Sequence, residues 1–284
     1  MTSWAYEAPQ ELTNDQYARW QNLLEERTGI SFLQHKSILQ KGLRQRMREI
    51  GADNYEKYFE KVRNFPEGVV EWMQLVDRIS VKETSFFREK YSFKSVQKFL
   101  LDRLVLIGKE QNRTLDIWSV GCSTGEEAYS LAMLATEAVD YLKSEVFFAV
   151  FATDISQSAL ADARQGRYSL IKSANLPKVF RSKYFSKCGD KEAEIVSELK
   201  QRMCFSQGNV QLYEDSPQVL MDVIFCQNVF VYFRRERQHI VLDQLVEKLK
   251  PGGLLMVGPG EVIGWNNARV KRTSDNLVQS YIKC

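Results

Sequence analysis

The sequence predicts an α/β protein in which a helical amino-terminal region precedes a doubly wound parallel sheet. Apolar residues recur at helical spacing through residues 1–80, and from Leu115 onward strand-length apolar runs alternate with helical patterns. Such alternation is typical of a parallel sheet that binds ligands at the carboxyl ends of its strands. The chain has 284 residues, 44% of them hydrophobic, which is enough for about two domains with apolar cores.

The amino-terminal region, taken as a domain over residues 1–80, is predicted to contain four helices. Residues typical of helix starts and stops divide it, namely Thr13 with Gln16 (a capping-box pattern), Gly29, Gly51, Asp53 with Glu56, and Pro66 with Gly68. The second helix is predicted over about 38–50, and Asp53 with Glu56 is predicted to cap the third. Residues 81–98 are expected to form a linker.

The remainder, 99–284, is predicted to carry the sheet. Strands are expected over 114–120, 146–153, 220–226 and 253–258, and helices over 126–138, 156–165 and 235–249. Lys250-Pro-Gly-Gly253 is predicted to be a turn, and two more strands are expected near Val270 and over 277–282. The alternation breaks within about 168–205, where the polar segment Arg181–Lys191 predicts an inserted hairpin subdomain.

Composition excludes several classes of protein. The net charge of +3 does not require a nucleic-acid partner. The longest apolar run, 146–152, is far shorter than the roughly 18–20 residues of a membrane span, and residues 1–10 lack a secretory-signal pattern. Five scattered cysteines and two histidines predict reduced thiols, no metal site and no histidine-based triad. The expected location is therefore the cytoplasm.

The most informative segment is Trp118-Ser-Val-Gly121-Cys-Ser-Thr-Gly125-Glu126-Glu127, a strand, a glycine-bounded turn and a helix start. Glycines let a ligand approach the backbone amides at such a turn. The G-x-x-x-G spacing matches neither the dinucleotide nor the P-loop pattern, and two glutamates would repel a phosphate. A ligand with an ammonium, a sulfonium and ribose hydroxyls fits better, and S-adenosylmethionine has all three.

Asp154 ends the apolar strand that follows this turn. In a doubly wound nucleoside site an acid near this position binds ribose hydroxyls. The alternative role is the N-cap of the next helix. Given the glycine turn before it, we favour the ligand role.

Two further segments and one helix carry candidate functional residues. Asn228 and Tyr232 follow the buried strand 220–226, where the transferred group is expected, although Asn228 could simply cap the strand. Arg88 could bind a substrate carboxylate through two hydrogen bonds, but a surface ion pair is the commoner role. The basic residues of the second helix are either a solvated face or a docking surface for an acidic partner; they are Lys41, Arg44, Arg46 and Arg48.

Together these segments resemble the chemotaxis receptor methyltransferase family (CheR-type), whose members are S-adenosylmethionine-dependent protein-glutamate O-methyltransferases. The resemblance runs from about Gln16 to Ile282. Its specific pieces are Thr84-Ser-Phe-Phe-Arg88-Glu, Trp118-Ser-Val-Gly-Cys-Ser-Thr-Gly-Glu-Glu127-Ala-Tyr-Ser, Ala152-Thr-Asp154-Ile, Phe225-Cys-Gln-Asn228-Val-Phe-Val-Tyr232-Phe and Leu249-Lys-Pro-Gly-Gly.

The resemblance implies a class I S-adenosylmethionine-dependent methyltransferase fold with an all-α amino-terminal domain and an inserted antiparallel β-subdomain. It implies the products glutamate methyl ester and S-adenosylhomocysteine, and substrates on the cytoplasmic helical bundle of chemoreceptors. Arg88 and Tyr232 are implied to orient the substrate. Together with the glycine turn at Gly121, the implied cofactor contacts are Lys82, Thr84, Arg88, Glu127, Asp154, Asn209, Val210, Gln227 and Asn228. We expect a monomer with no nucleic-acid partner and no membrane insertion.

The sequence departs from the family pattern at several positions. Lys82 stands where asparagine is usual, Ala128 where proline is usual, and Gln227 where arginine is usual, while Gly258-Pro-Gly-Glu261 replaces a frequent Gly-His-Ser-Glu. The short stretch between Phe185 and Glu198 favours an enzyme that does not depend on a receptor's carboxy-terminal pentapeptide. Two rival functions are a cofactor-binding signalling adaptor with little turnover and a nucleic-acid methyltransferase, for which no base-flipping motif is evident.

Overall fold

The computed structural model describes residues 11–33, 36–64, 66–109 and 114–284. These residues form two compact units, one made of the described residues up to Val81 with Tyr232–Arg234 and the other of Lys82–Val231 with Arg235–Cys284. The predicted absence of a secretory signal rests on residues 1–10, which lie outside the described residues. Over the ranges given above, no helix is long and apolar enough to cross a membrane.

The first unit consists of four helices: α1 (Asn14–Thr28), α2 (Lys36–Ile50), α3 (Tyr55–Arg63) and α4 (Val69–Ile79). The predicted capping box is present, because Thr13 and Gln16 each accept the other's backbone N–H with their side chains. The prediction that Asp53 and Glu56 cap α3 is wrong. Asn54 is the N-cap, and its side chain accepts the N–H groups of Glu56 and Lys57.

A buried ion pair ties α2 to α4 inside this unit. Arg46 donates from Nε and Nη2 to the two carboxylate oxygens of Glu71 at 2.7 and 2.9 Å, and the Tyr58 hydroxyl donates to Glu71 at 3.0 Å. Burial opposes ionisation of Glu71, but these hydrogen bonds outweigh it and hold its pKa below the ordinary value. Arg46 is therefore committed to the helical unit's own interior.

The second unit alternates strands and helices. In chain order its elements are α5 (Lys90–Ile107), β1 (Thr114–Val120), α6 (Glu126–Leu142), β2 (Phe147–Asp154), α7 (Gln157–Gln165), β3 (Arg167–Ser169), α8 (Leu170–Ala174), α9 (Lys178–Tyr184), β4 (Phe185–Cys188), β5 (Glu192–Ile195), α10 (Ser197–Lys200), β6 (Met203–Gln207), β7 (Met221–Cys226), α11 (Arg235–Glu247), β8 (Leu249–Val257), β9 (Val270–Arg272) and β10 (Gln279–Lys283). The range 81–98, expected to be a linker, includes the first turns of α5.

The main sheet has the strand order β6-β2-β1-β7-β8-β10-β9, parallel from β6 to β8 and antiparallel at β10 and β9. Because β1, β2 and β7 are parallel, their carboxyl ends lie at the same edge of the sheet. The helices between the parallel strands bury their apolar faces on the sheet. A second sheet, β3-β5-β4, is antiparallel and lies within the predicted insertion. The predicted α/β architecture with an inserted β-subdomain is thus confirmed.

Two details differ from the sequence-based expectations. The predicted turn 250–253 belongs to β8, where the register shifts opposite Met221 and Gly252 adopts a φ of +71°. Strand β6, the outermost strand of the main sheet next to β2, is not among the predicted strands. Its five residues are all exposed or half-buried, so it lacks the apolar run that marks a central strand.

An ion-pair network joins the strands at the opposite, amino-terminal edge of the main sheet. Asp222 is completely buried and accepts hydrogen bonds from Arg103 Nε at 2.7 Å, Lys250 Nζ at 2.7 Å and the Asp116 N–H at 2.9 Å. Lys250 also donates to Asp116 at 2.8 Å. These bonds connect α5, β1, β7 and β8, and they hold Lys250 inside β8.

Candidate cofactor site

The glycine turn after β1 has a shape that only glycine fits at two positions. Gly121 has a φ of +72° and Gly125 a φ of +94°, both in the left-handed region. A Cβ on Gly121 would stand 2.5 Å from Val229 Cγ2. The N–H groups of Gly121 and Cys122 both donate to the Thr153 carbonyl, at 2.8 and 3.0 Å. The turn is therefore fixed to the end of β2 and packs against the loop after β7.

Asp154, at the end of β2, shapes this turn directly. Its Oδ2 accepts the Ser123 N–H at 2.8 Å and its Oδ1 accepts the Ser156 N–H at 2.8 Å. The N-cap of α7 is Ser156, whose side chain accepts the Ala159 N–H. The alternative role for Asp154 as the helix N-cap is therefore wrong, and its role in binding ribose hydroxyls stays a prediction.

The two glutamates after the turn have different environments, which their adjacent positions in the sequence do not distinguish. Glu126 is completely buried and accepts hydrogen bonds from Lys172 Nζ and, at 2.6 Å, from Thr124 Oγ1. Glu127 is half-buried and accepts a hydrogen bond from Ser119 Oγ at 2.7 Å. Only Glu127 is left to act electrostatically on a ligand, since a lysine neutralises Glu126.

Burial raises the pKa of Glu127 to about 8. The Ser119 hydrogen bond and the charge of Arg88 pull this pKa down, while the charges of Glu261 and Asp154 push it up. Arg88, Asp154 and Glu261 are therefore the charged side chains that act on the ionisation of Glu127. A cation bound beside Glu127 would favour its ionised form.

The segment before α5 supplies three of the predicted site residues. Lys82 Nζ donates to Ser158 Oγ at 2.6 Å, which connects it to α7 just beyond Asp154. Thr84 is half-buried, and Arg88 is exposed with its Nη1 donating to the Glu83 carbonyl at 3.0 Å. The Phe87 N–H donates to Ser130 Oγ on α6 at 3.1 Å, which holds this segment close to the glycine turn.

Asn209 and Val210 follow the edge strand β6. The Gly208 N–H donates to the Asp154 carbonyl at 3.0 Å, so this loop adjoins the end of β2. The Asn209 N–H donates to Asp215 Oδ2 at 2.8 Å, and the side chain of Val210 is half-buried. The structure thus brings both predicted residues to the edge where Asp154 lies.

The loop after β7 contains Gln227 and Asn228. Gln227 is buried, and its Nε2 donates to Ser92 Oγ at 2.7 Å and to the Val257 carbonyl at 3.1 Å. Its amide hydrogens are therefore used within the protein. Asn228 has a φ of +58°, and its N–H donates to Glu261 Oε1 at 2.5 Å. Sequence reasoning did not assign Glu261 a role; the available signal was an acid among glycines directly after a buried strand.

The other predicted residues belong to the helical unit. The Tyr232 carbonyl accepts the Ser31 N–H at 2.7 Å, and the Tyr232 side chain is half-buried. On α2, Lys41 and Arg48 are exposed and Arg44 is half-buried, whereas Arg46 is held by Glu71. The orienting role of Tyr232 and the docking role of α2 stay predictions.

The edge built from these residues fits S-adenosylmethionine by its own chemistry. Ser123 Oγ is buried and has no hydrogen-bond partner among the residues described, so it is available to a polar ligand. Glu127 accepts a hydrogen bond from Ser119 and, over the described residues, has no cation in hydrogen-bond contact. Those features match hydroxyl groups and a positive charge on one ligand. Within the described ranges, no group of three or more His, Cys, Asp or Glu side chains could hold a metal ion.

Comparisons with known proteins cover nearly the whole chain. The family model described as the CheR methyltransferase SAM-binding domain matches residues 82–278, and that of the CheR methyltransferase all-alpha domain matches residues 15–80. A chemotaxis protein methyltransferase of Borreliella burgdorferi is 30% identical over 260 residues, which cover 90% of each chain.

Two further relatives have similar identity. Chemotaxis protein methyltransferase 2 of Vibrio cholerae is 31% identical over 252 residues, covering 88% of this chain and 86% of its own. The probable biofilm formation methyltransferase WspC of Pseudomonas aeruginosa is 30% identical, over 86% of this chain and 56% of its own.

Proposed function

The chain belongs to the CheR methyltransferase family, and we propose that it transfers the methyl group to glutamate side chains on the cytoplasmic helical bundle of chemoreceptors. As a member it is an S-adenosylmethionine-dependent methyltransferase of chemotaxis. The glutamate acceptor, the helical bundle and the cytoplasmic location are the parts that we add. The acceptor is supported by the placement of the segment that carries Arg88, whose neighbour Phe87 donates its N–H to Ser130 on α6, the helix that begins at Glu126. The receptor substrate is supported by the relatives that are named chemotaxis protein methyltransferases.

The reaction requires placement rather than acid–base chemistry. A glutamate side chain has an unperturbed pKa of about 4.3, so it is already a carboxylate nucleophile near neutral pH. S-Adenosylmethionine, when bound, supplies an electrophilic methyl group on its sulfonium; a carboxylate oxygen gains the methyl, and S-adenosylhomocysteine leaves. Since no proton has to be removed, the protein's task is to hold the carboxylate in a reactive orientation.

The chain's own residues divide that task. Glu127 and Asp154 are proposed to bind the cofactor, by its positive charge and its ribose hydroxyls respectively. Arg88 is proposed to hold the receptor carboxylate by paired hydrogen bonds, and Tyr232 to orient it by donating its hydroxyl hydrogen. Lys82, Thr84, Asn209, Val210, Gln227 and Asn228 are proposed as further cofactor contacts. Interactions that orient the carboxylate without stabilising its ground state raise the rate of the chemical step.

The test of this function is transfer of a labelled methyl group from S-adenosylmethionine to receptor-containing membranes, read as base-labile methanol release. Methyl esters are hydrolysed by base, so release after alkali identifies a carboxylate acceptor. Binding of the cofactor without transfer would favour the adaptor, and label in RNA would favour the nucleic-acid enzyme. Removing the carboxy-terminal pentapeptide from the receptor should leave the rate unchanged, because we propose a pentapeptide-independent enzyme.

We expect Arg88→Ala to lower the methylation rate at least tenfold while S-adenosylhomocysteine binding survives in part. The substitution removes the cation that holds the substrate carboxylate. Steady-state kinetics with titration calorimetry measure both effects, and Arg234→Ala, another exposed arginine, is a control for lost surface charge. Wild-type turnover in Arg88→Ala would remove Arg88 from the mechanism.

The cations of α2 other than Arg46, namely the exposed Lys41 and Arg48 and the half-buried Arg44, are proposed to dock the acidic receptor. Reversing charge with Arg44→Glu and Arg48→Glu should raise the receptor KM several-fold, more at low salt than at high salt, with cofactor affinity retained. Arg63→Glu on α3 is the matched control, since Arg63 is equally a surface arginine of the helical unit. If the receptor KM does not change in either salt, α2 is an ordinary solvated helix.

A further inference from the structure

Glu261 lies in the Gly-Pro-Gly-Glu segment after β8, and its carboxylate is bonded to the backbone of another loop. Its Oε1 accepts the Asn228 N–H at 2.5 Å, and its Oε2 accepts the Phe230 N–H at 3.3 Å. The Val229 N–H also bonds to it, and the Asn228 side chain approaches Oε1 at 3.5 Å. One side chain thus satisfies successive amides that no strand or helix pairs.

The position of this carboxylate depends on the absence of a side chain at Gly258. A Cβ there would stand 2.1 Å from Glu261 Oε1 and 2.3 Å from Glu261 Cδ. No real Cβ contact is that short, so any larger residue would displace the carboxylate. Gly258 has no left-handed φ, so its backbone alone would accept alanine.

The loop that Glu261 holds borders the cofactor site. Val229 packs against the bare Cα of Gly121. Asn228 sits at a φ of +58°, a left-handed conformation that asparagine adopts more readily than most residues and that hydrogen bonds to its backbone N–H help to hold. Glu261 supplies those contacts from the end of β8, which is adjacent to β7 in the sheet.

We propose that Glu261 is a positioning residue for methyl transfer: its carboxylate clamps the Asn228–Phe230 loop, which fixes Asn228 and keeps Val229 against the glycine turn. The inference rests on the proposed function, because it assigns Glu261 to the same cofactor site. Glu261 acts through Asn228 and Val229 and is not itself placed in contact with the reacting atoms.

Three variants test the clamp in different ways. Glu261→Ala removes the acceptor, and Glu261→Gln keeps one acceptor oxygen while turning an amide donor toward the backbone. Gly258→Ala keeps the charge of Glu261 but displaces it. We expect Glu261→Ala and Gly258→Ala to weaken S-adenosylhomocysteine binding about tenfold and to lower kcat about tenfold, with the receptor KM unchanged. Glu261→Gln should lie between these variants and the wild type.

Titration calorimetry also gives the binding stoichiometry, which distinguishes the clamp from a general structural role. If Glu261 were needed only for folding, its substitution would lower the measured binding stoichiometry, because less protein would be folded. The Kd of the folded fraction would stay unchanged. Lower affinity and kcat in Glu261→Ala and Glu261→Gln, but not in Gly258→Ala, would show that only the charge of Glu261 matters. Either this result or a change in stoichiometry alone would overturn the proposal. Ile263→Ala, at an exposed position of the same segment, is the control.

The wild-type enzyme separates this inference from the function it rests on. Absence of base-labile methyl transfer by the wild type would refute the proposed function. Transfer by the wild type, with unchanged kcat and Kd in Glu261→Ala and Gly258→Ala, would refute the clamp alone.

Discussion

The two edges of the main sheet both bury carboxylates, and they treat them in opposite ways. At the amino-terminal edge Asp222 is bonded to two cations and a backbone amide, and Lys250 is shared with Asp116. At the carboxyl-terminal edge Glu127 accepts a hydrogen bond from a serine hydroxyl, and Glu261 accepts hydrogen bonds from backbone N–H groups. Neither of these two is in hydrogen-bond contact with a cation in the described part of the chain.

The pKa values follow this difference. Burial disfavours the charge of Lys250, but its bonds to Asp116 and Asp222 outweigh burial and raise its pKa. Burial likewise disfavours the charges of Glu127 and Glu261, and there the hydrogen bonds do not compensate, so both pKa values are raised. The carboxylates of the amino-terminal edge are neutralised by bonded cations, whereas at the carboxyl-terminal edge, over the residues described, Glu126 has such a partner, Lys172, and Glu127 and Glu261 do not. We therefore expect the amino-terminal edge to serve stability and the carboxyl-terminal edge to serve binding.

The largest effect is expected from Asp222→Ala at the amino-terminal edge. Removing the acid leaves the partly buried Arg103 without this partner and Lys250 with Asp116 alone, which costs about 3 kcal/mol of unfolding free energy. The affinity of the folded protein for S-adenosylhomocysteine should not change. Urea unfolding and calorimetry measure the two quantities, and Asp102→Ala, at an exposed position of α5, is the control. A stability loss no larger than that of the control would show that the network is dispensable.

Gly121→Ala tests whether the carboxyl-terminal edge is shaped for a ligand. The new Cβ would collide with Val229, so we expect S-adenosylhomocysteine binding to weaken at least tenfold. Alanine at positive φ also costs about 1 kcal/mol of stability. Gly189→Ala is the matched control, because Gly189 has a φ of +69° but nothing within 4 Å of the added Cβ. It should lose similar stability and keep full affinity; equal loss of affinity in both variants would contradict a local effect.

Elements with local signals were predictable from sequence. The capping box at Thr13 depends on residues three apart, and β1, which has an apolar run and a following glycine turn, has the predicted bounds 114–120. The position of Asp154 at a strand end beside the glycine turn was also predictable, whereas its ligand role stays a prediction. In these cases the residues that decide the structure are neighbours in the chain.

Features that depend on distant partners were not predictable. Glu126 and Glu127 are adjacent, and what separates them is Lys172, whose approach to Glu126 requires the inserted subdomain to be folded. Lys250 was assigned to a turn because Pro and Gly follow it, but its partners Asp116 and Asp222 come from two other strands. Arg46 is one of several basic residues in the sequence of α2, and its pairing with Glu71 depends on the packing of α4 against α2. A single sequence does not show such pairings.

The smallest effect, and the sharpest test of the comparison, is expected from Glu127→Gln. The carboxyl group has a pKa of about 8 in the folded protein against 4.5 as the reference value for the unfolded chain. Between these values the unfolded chain has lost the proton that the folded protein retains, so the wild type loses stability as pH rises to about 8. Glutamine does not titrate but can still accept the Ser119 hydrogen bond. Glu127→Gln should therefore be more stable than wild type at pH 8.5, by about 1 kcal/mol, and equal to it near pH 4.5.

Bound S-adenosylmethionine should reverse the order of stability of wild type and Glu127→Gln. S-Adenosylmethionine in excess stabilises whichever protein binds it more tightly, and an ionised Glu127 beside a positive ligand binds better than a neutral amide. At pH 8.5 we expect Glu127→Gln to be the more stable protein without cofactor and the less stable one with it. Urea unfolding with and without S-adenosylmethionine measures the crossing. The opposite pattern, with Glu127→Gln less stable when the cofactor is absent, would mean that Glu127 stabilises the fold as Asp222 does, and the contrast between the two edges would fail.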